Sequence, residues 1–151
     1  MMTSNIISAI TLCFLFSAII PAADPPDFNL SDYQWENRII LLFAEYPSDD
    51  LYAQQITQLT NYEDGLIERE LMVVSLFAGD ESHVDGEIIS NESSSALRKR
   101  FLTEDKSLRF ILIGKDGGVK LRSDEFVSVH DLFGLIDSMP MRRQEMRGSS
   151  N

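Results

Sequence analysis

The sequence predicts an α/β fold: a central mixed sheet with parallel core strands plus an antiparallel C-terminal hairpin, flanked by helices. Two apolar runs, Arg38–Ala44 and Leu71–Phe77, have the length and unbroken hydrophobicity of strands buried on both faces. An amphipathic stretch separates them, and a helical crossover makes the strands it connects parallel. Further along, Asp116-Gly117 between two apolar segments predicts a hairpin turn. With 151 residues, 44% of them hydrophobic, the chain can bury one core.

Residues 1–23 predict a secretory signal peptide. They carry no charge, contain the apolar stretch Ile6–Ala22 and end in small residues before Asp24. Because no Lys or Arg precedes the stretch, an uncleaved membrane anchor is the alternative. Cys13, the only cysteine, lies inside the apolar run, where a lipid-attachment site is not expected. Export would therefore leave a mature protein with neither a thiol nor a disulfide.

Residues 24–37 are a lead-in rich in Pro and Asp, from which Leu30, Tyr33 and Trp35 are expected to pack down as anchors. The predicted domain occupies residues 38–147, and residues 148–151 are predicted to be a frayed tail. After the first strand, Pro47–Asp50 offers a turn with helix caps, and an apolar stripe predicts a helix to about Tyr62.

Beyond the second strand, Gly79–Ser95 is interpreted as an acidic, serine-rich loop, and Ala96–Leu102 as a short helix. A strand over Leu108–Ile113, a turn over Gly114–Gly118 and a strand over Val119–Arg122 form the predicted hairpin. The last helix is predicted to begin at a capping box, Ser128–Asp131, and to be ended or kinked by Pro140. Its apolar face consists of Val129, Leu132, Phe133, Ile136 and Met139.

The charge is uneven along the chain. Residues up to Glu92 include 16 acidic and 2 basic side chains, whereas those from Ser93 onward include 8 acidic and 11 basic ones. The net charge of −11 argues against general nucleic-acid binding, which needs a basic surface. The basic clusters Arg98–Arg100 and Arg142, Arg143, Arg147 are expected to pair with the acidic half of the domain.

The element order matches the thioredoxin core, whose reactive cysteine would stand just after the first strand. Here that degenerate active-site segment reads Tyr46, Pro47, Ser48, Asp49. An unactivated serine hydroxyl cannot reach the sulfenic or disulfide states of a redox cycle. Neither His83 nor His130 has a sequence reason to lie beside Ser48 as a base. We therefore predict no catalytic residues.

Two motifs are weighed as cofactor sites and set aside. The segment Glu81–Glu92 has some EF-hand offsets, but Glu and His occupy its first and third positions and a strand precedes it, so a solvated loop is favoured. Gly114-Lys115 begins a turn without a following Ser or Thr, so it is not a phosphate loop. No metal or other cofactor is predicted.

The C-terminal segment Met139–Met146 is rich in methionine, whose thioether suits Cu(I). A core or docking role for the methionines is favoured. Arg142 and Arg143 are then expected to face outward as a possible recognition edge.

Four segments together resemble a known family: Leu30–Arg38, Gly65–Leu71, Leu112–Lys120 and Ile136–Met146. They resemble the bacterial domain of unknown function four-one-seven-four, which is similar to the peroxiredoxin-like domain of extracellular sushi-repeat and coiled-coil-domain proteins. The resemblance covers nearly all of the predicted mature chain. It implies a thioredoxin-like fold, export and no established activity, and it supplies no catalytic residue.

The sequence thus favours an exported, periplasmic or secreted, thioredoxin-like domain that works by binding an unknown protein partner or small ligand. No stable membrane association is expected after signal cleavage. The alternative is an oxidoreductase-related or metal-handling protein whose reactive group comes from a partner or from Cu(I).

Overall fold

A computed structural model describes residues 23–101 and 108–148 of the chain. The predicted signal peptide, apart from Ala23, therefore lies outside the described residues, as do Leu102 and the last three residues of the predicted tail. The described elements are a short 3-10 helix at Leu30–Tyr33, strands β1 (Arg38–Ala44), β2 (Leu71–Phe77), β3 (His83–Val84), β4 (Glu87–Ile88), β5 (Arg109–Ile113) and β6 (Val119–Ser123), and helices α1 (Asp50–Asn61), α2 (Glu63–Glu68), α3 (Asn91–Phe101), α4 (Val129–Ser138) and α5 (Pro140–Gly148).

The six strands form one mixed sheet in the order β4-β3-β2-β1-β5-β6. Strands β1 and β2 are parallel, with Arg38 opposite Leu71 and Ala44 opposite Phe77. The β5–β6 hairpin is antiparallel and joins β1 through β5. The predicted fold class is therefore confirmed, including the bounds of both central strands.

Side chains that alternate along β1 divide the core into two parts. Ile40, Leu42 and Ala44 point to the face covered by α1, α2 and α4, which we call the first core. Ile39, Leu41 and Phe43 point to the opposite face, which α3 and the lead-in cover and which we call the second core. This period of two explains why the sequence of a strand buried on both faces has no polar gaps.

The predicted loop over Gly79–Ser95 is only partly a loop. Asp85 and Gly86 both adopt positive φ, 45° and 89°, and form the two-residue turn of the β3–β4 hairpin. Helix α3 also begins earlier than predicted, at Asn91, because the Ser90 hydroxyl accepts a hydrogen bond from the Ser93 amide at 3.2 Å and caps it.

The predictions for the C-terminal helix are confirmed. The Ser128 hydroxyl caps α4 by accepting a hydrogen bond from the Asp131 amide at 3.1 Å. Helix α4 ends at Ser138, and Met139 is extended, as residues before proline tend to be. Pro140 then starts α5, a position where its missing N–H costs nothing.

The lead-in packs on the sheet, but not through all of the expected anchors. Leu30 and Tyr33 contact the second core as predicted. The prediction for Trp35 is wrong, because its side chain lies outside the core and is largely exposed. Phe28 is buried instead, and its ring stacks on Tyr33 with centroids 5.1 Å apart.

Candidate functional site

The segment after β1, where a redox thiol would stand, is closed by a carboxylate. One oxygen of Asp49 accepts hydrogen bonds from the backbone amides of Glu45 and Tyr46 at 3.0 and 3.2 Å. Tyr46, Pro47 and Ser48 are all exposed. Because Asp49 occupies these amides, they are not available to bind an anion or an oxyanion.

The side chains near this segment do not activate Ser48. His83 lies in β3 and His130 in the first turn of α4. No hydrogen bond joins either histidine to Ser48 within residues 23–101 and 108–148. Arg98 reaches the carboxyl ends of the central strands from α3, but its guanidinium donates to the backbone oxygens of Leu76 and Ala44, at 3.2 and 3.5 Å.

A groove of about 540 Å³ runs between α1, α2 and the β2–β3 side of the sheet. Apolar and polar side chains line it in equal number, and most of the lining surface is apolar. The apolar members are Ile56, Leu59, Leu66, Ile67, Leu71 and Val73, and the polar ones are Tyr52, Thr60, Glu63, Ser75, His83 and Asp85. An apolar concavity with a few convergent polar groups is the usual form of a small-molecule site.

Two hydroxyl groups form the buried polar end of this groove. The Tyr52 phenol donates a hydrogen bond to the Ser75 hydroxyl at 2.9 Å. Burial raises the pKa of Tyr52 and outweighs the opposing effect of the bond to Ser75. The phenol therefore stays protonated at neutral pH, so it can hold a polar group of a ligand by hydrogen bonding.

Eight charged side chains form a network at the other end of β1, around Arg38. The Arg38 guanidinium bonds Glu145 at 3.1 Å, and the same carboxylate oxygen lies 3.0 Å from the Lys115 ammonium. Lys115 also pairs with Glu70. The remaining members are Glu68, Arg69, Asp137 and Arg142. We call these residues the charged network; it ties α4 and α5 to α2 and to the starts of β1 and β2.

The expectation that Arg142 faces outward is wrong. Arg142 is only 5% exposed and belongs to the charged network. Its guanidinium donates to Asp137 at 3.2 Å and to the Glu68 backbone oxygen at 3.0 Å, and it pairs with the Glu68 carboxylate. Arg143, the next residue, is exposed. The expected pairing of the C-terminal arginines with the acidic half thus holds for Arg142, which pairs with Glu68. Arg142 is therefore not part of the predicted recognition edge.

The network sets the charge state of its carboxylates. Burial alone would raise the pKa of Asp137, but hydrogen bonds from Arg69 and Arg142 hold it below its ordinary value. The pKa of Glu145 is lowered in the same way: burial alone would raise it, but hydrogen bonds from Arg38 and Lys115 hold it below its ordinary value. Both groups are therefore ionised at neutral pH, and the network is structural in character.

The methionine-rich segment packs against the domain. Met139 contacts the first core, and Met141 and Met146 are half-buried. Within the described residues, no cluster of three or more His, Cys, Asp or Glu side chains could hold a metal ion. The described part of the chain likewise contains no helix that is both long and apolar enough to cross a membrane.

The fold is thioredoxin-like and is similar to that of peroxiredoxins. Thioredoxin peroxidase I of Plasmodium yoelii has a TM-score of 0.54 and 21% identity, covering 79% of this chain and 80% of that one. The reduced 2-Cys peroxiredoxin of Plasmodium vivax has a TM-score of 0.56 and 16% identity, covering 79% and 85%. At these identities the likeness shows the fold alone.

Within that class, the chain belongs to the family described as Domain of unknown function (DUF4174), whose model matches residues 29–145. It is also 29% identical over 133 residues to coiled-coil domain-containing protein 80 of Danio rerio. That match covers 78% of this chain and only 15% of the zebrafish protein, so the chain corresponds to a small part of its relative.

The four segments that carry the family resemblance meet in the charged network. Leu30–Arg38 supplies Arg38, and Gly65–Leu71 supplies Glu68, Arg69 and Glu70. Leu112–Lys120 supplies Lys115, and Ile136–Met146 supplies Asp137, Arg142 and Glu145. These segments thus build the end of the sheet opposite the closed segment at Tyr46–Asp49. Sequence reasoning found the segments, but it did not predict that they meet.

Proposed function

We propose that this chain is an exported domain that binds a small ligand in the groove beside Tyr52 and performs no redox chemistry. The observation that carries the binding is the largely apolar groove with the Tyr52 and Ser75 hydroxyls at one end. The segment after β1, which has no cysteine and whose Glu45 and Tyr46 amides bond Asp49, supports the absence of redox chemistry. Cys13, the chain's only cysteine, lies in the proposed signal peptide. Without a thiolate the fold lacks the nucleophile of thiol–disulfide exchange.

The groove favours a compact, mainly apolar ligand with one polar end. Such a molecule would bury its apolar body against Leu59, Leu66 and Val73. Its polar end would exchange hydrogen bonds with the Tyr52 and Ser75 hydroxyls, which already bond each other.

A binding assay with the neutral apolar fluorophore N-phenyl-1-naphthylamine tests the groove. We expect saturable fluorescence enhancement that is lost in Thr60→Tyr, because Thr60 lines the mouth and a ring there would fill it. Thr57→Tyr is the matched control, since Thr57 is exposed one turn earlier on the same helix and does not line the groove. Equal binding by both variants, with unchanged melting temperatures, would place the fluorophore elsewhere.

A redox assay tests the absence of chemistry. The purified protein is expected neither to reduce insulin disulfides nor to consume peroxide, with or without a thioredoxin-type reductant. Turnover above a heat-denatured control, in the presence of chelator, would contradict the proposal.

Intact mass spectrometry tests export. The proposed processing gives a mature form that begins at Ala23 or Asp24, since small residues precede Asp24. Full-length protein recovered in the membrane fraction would support the anchor instead.

A further inference from the structure

Trp35 combines exposure with backbone strain. It is the chain's only tryptophan, and 62% of it is exposed. Its φ of 71° lies in the left-handed region that glycine adopts at little cost and that is an outlier for a bulky residue. A side chain so exposed contributes little to stability by burial. Strain without a compensating packing gain points to a role in recognition.

The turn that holds Trp35 is fixed by hydrogen bonds. The Trp35 amide donates to the backbone oxygen of Lys115 at 2.6 Å, and the Asn37 amide donates to that of Tyr33 at 2.9 Å. The Gln34 side chain donates to the Asp116 backbone oxygen at 3.0 Å. These bonds hold the backbone of the turn beside the charged network, so little backbone ordering is left to do on binding.

The charged side chains around this turn differ in how far they are exposed to solvent. The Lys115 side chain is only 8% exposed and Arg38 is buried, so these two basic groups point inward, whereas Lys120 is exposed and its ammonium lies 2.6 Å from the Asp116 carboxylate. Two acidic neighbours of the turn lie at the surface: the Glu70 side chain, which pairs with Lys115, is still 52% exposed, and Glu36 is exposed. The rim beside Trp35 is thus acidic where Glu36 and Glu70 lie.

We propose that Trp35, with the acidic rim formed by Glu36 and Glu70, is a docking surface for an arginine- or lysine-bearing segment of a protein partner. We call it the Trp35 surface. An indole face attracts a cationic side chain, and neighbouring carboxylates strengthen that attraction and steer the encounter. The same rim repels anionic partners. The Trp35 surface is distinct from the Tyr52 groove, so the two proposals stand or fall separately.

The test titrates the purified protein with a ten-residue peptide of alternating Gly and Arg, followed by calorimetry and by the emission of the single tryptophan. We expect saturable binding with a change in Trp35 emission. Trp35→Gly and Glu36→Lys should each weaken binding about tenfold. Phe126→Ala and Glu125→Lys are matched controls, because both residues are exposed and lie outside the Trp35 surface, and they should change affinity less than about twofold.

The melting temperature separates recognition from a structural role. Trp35→Gly should leave it unchanged or raise it, because glycine relieves the strained φ. A marked fall would show that Trp35 is structural and would overturn the proposal. So would absence of binding, equal binding of an alternating Gly and Glu peptide, or equal weakening by Glu36→Lys and Glu125→Lys, since the last result would indicate attraction to the overall negative charge.

Discussion

The guanidinium of Arg142 is buried, although the segment around it is polar. Its donors are satisfied by Glu68 and Asp137 from two other helices, so its fork of N–H groups joins α5 to α2 and α4. The sequence could not reveal this, because adjacent Arg142 and Arg143 have the same chemistry and only the packing of α5 decides which one faces inward.

Arg142→Ala is expected to lower the free energy of unfolding by about 1 to 3 kcal/mol, less than for a fully buried pair because Glu68 is largely exposed. Arg143→Ala should change it by less than about 0.5 kcal/mol, since Arg143 is exposed. Urea denaturation of both variants measures the difference. Equal losses in the two variants would contradict the assigned orientation of α5.

The lowered pKa values of Asp137 and Glu145 make the network sensitive to acid. A carboxyl whose folded pKa is depressed contributes stability that is present above its unfolded pKa, about 4, and is lost as the pH falls through the folded value. Stability should therefore decline as the pH drops from about 5 towards 3. Asp137→Asn should be less stable at pH 7, and its stability should decline less steeply over that range.

Denaturant titrations at several pH values measure this dependence. Asp80→Asn is the control, since Asp80 is exposed and lies outside the network. An acid dependence of Asp137→Asn as steep as that of the unaltered protein would show that Asp137 is not one of the groups responsible.

At the level of elements, the strength of the local pattern decided what the sequence could predict. The seven-residue runs of β1 and β2 were unambiguous because both faces are buried. Strands β3 and β4 have two residues each, too few to show a period, although Asp85-Gly86 carries the same turn signal as Asp116-Gly117. Helix α2, with six residues, is also too short for a recognisable stripe.

Gln55 is a polar residue of α1 that no sequence pattern places in the core, yet it is fully buried. Its amide pairs with the backbone of Val127, donating to the oxygen at 3.0 Å and accepting from the N–H at 2.8 Å. The Gln58 amide oxygen also accepts from the Val129 amide. Helix α1 thereby holds the segment that leads into α4, a link that depends on tertiary contact and leaves no trace in periodicity.

Gln55→Met keeps the side-chain length but leaves the N–H and C=O of Val127 buried without partners. We expect a loss of about 2 to 4 kcal/mol in the free energy of unfolding. Gln54→Met, at the exposed neighbouring position, should cost less than about 0.5 kcal/mol. Chemical denaturation measures both losses. If Gln55→Met changed the free energy of unfolding very little, water would have to bond the N–H and C=O of Val127 in place of Gln55.

In the whole molecule, the fold was predictable from residues 38–123 because strand patterns and turn chemistry are local. The candidate site was less predictable. The sequence identified the degenerate segment after β1, but the groove draws on α1, α2, β2 and β3, and the charged network draws on residues as distant as Arg38 and Glu145. Such sites form only after the strands have paired. A single sequence can therefore identify residues that belong to them, but it does not show that these residues lie close together.

The lead-in completes the second core rather than merely preceding the domain. Phe28 is 4% exposed, its amide donates to the Ser93 hydroxyl at 2.8 Å, and the Pro26 oxygen accepts from the Ser90 amide at 2.9 Å. These bonds fasten residues 26–28 to the start of α3. Processing at the proposed site before Asp24 would leave this fastening intact.

Phe28→Ala should therefore destabilise the whole protein by about 3 kcal/mol or more, because it opens a cavity between the lead-in and the sheet. Phe126→Ala removes the same side chain from a position that is 42% exposed and should cost much less. Hydrogen exchange adds a spatial readout: if the lead-in is part of one cooperative unit, Phe28→Ala lowers protection in β1 and α3 together. Loss of protection confined to residues 24–37 would instead make the lead-in a separable appendage, and the second core would then be closed by α3 alone.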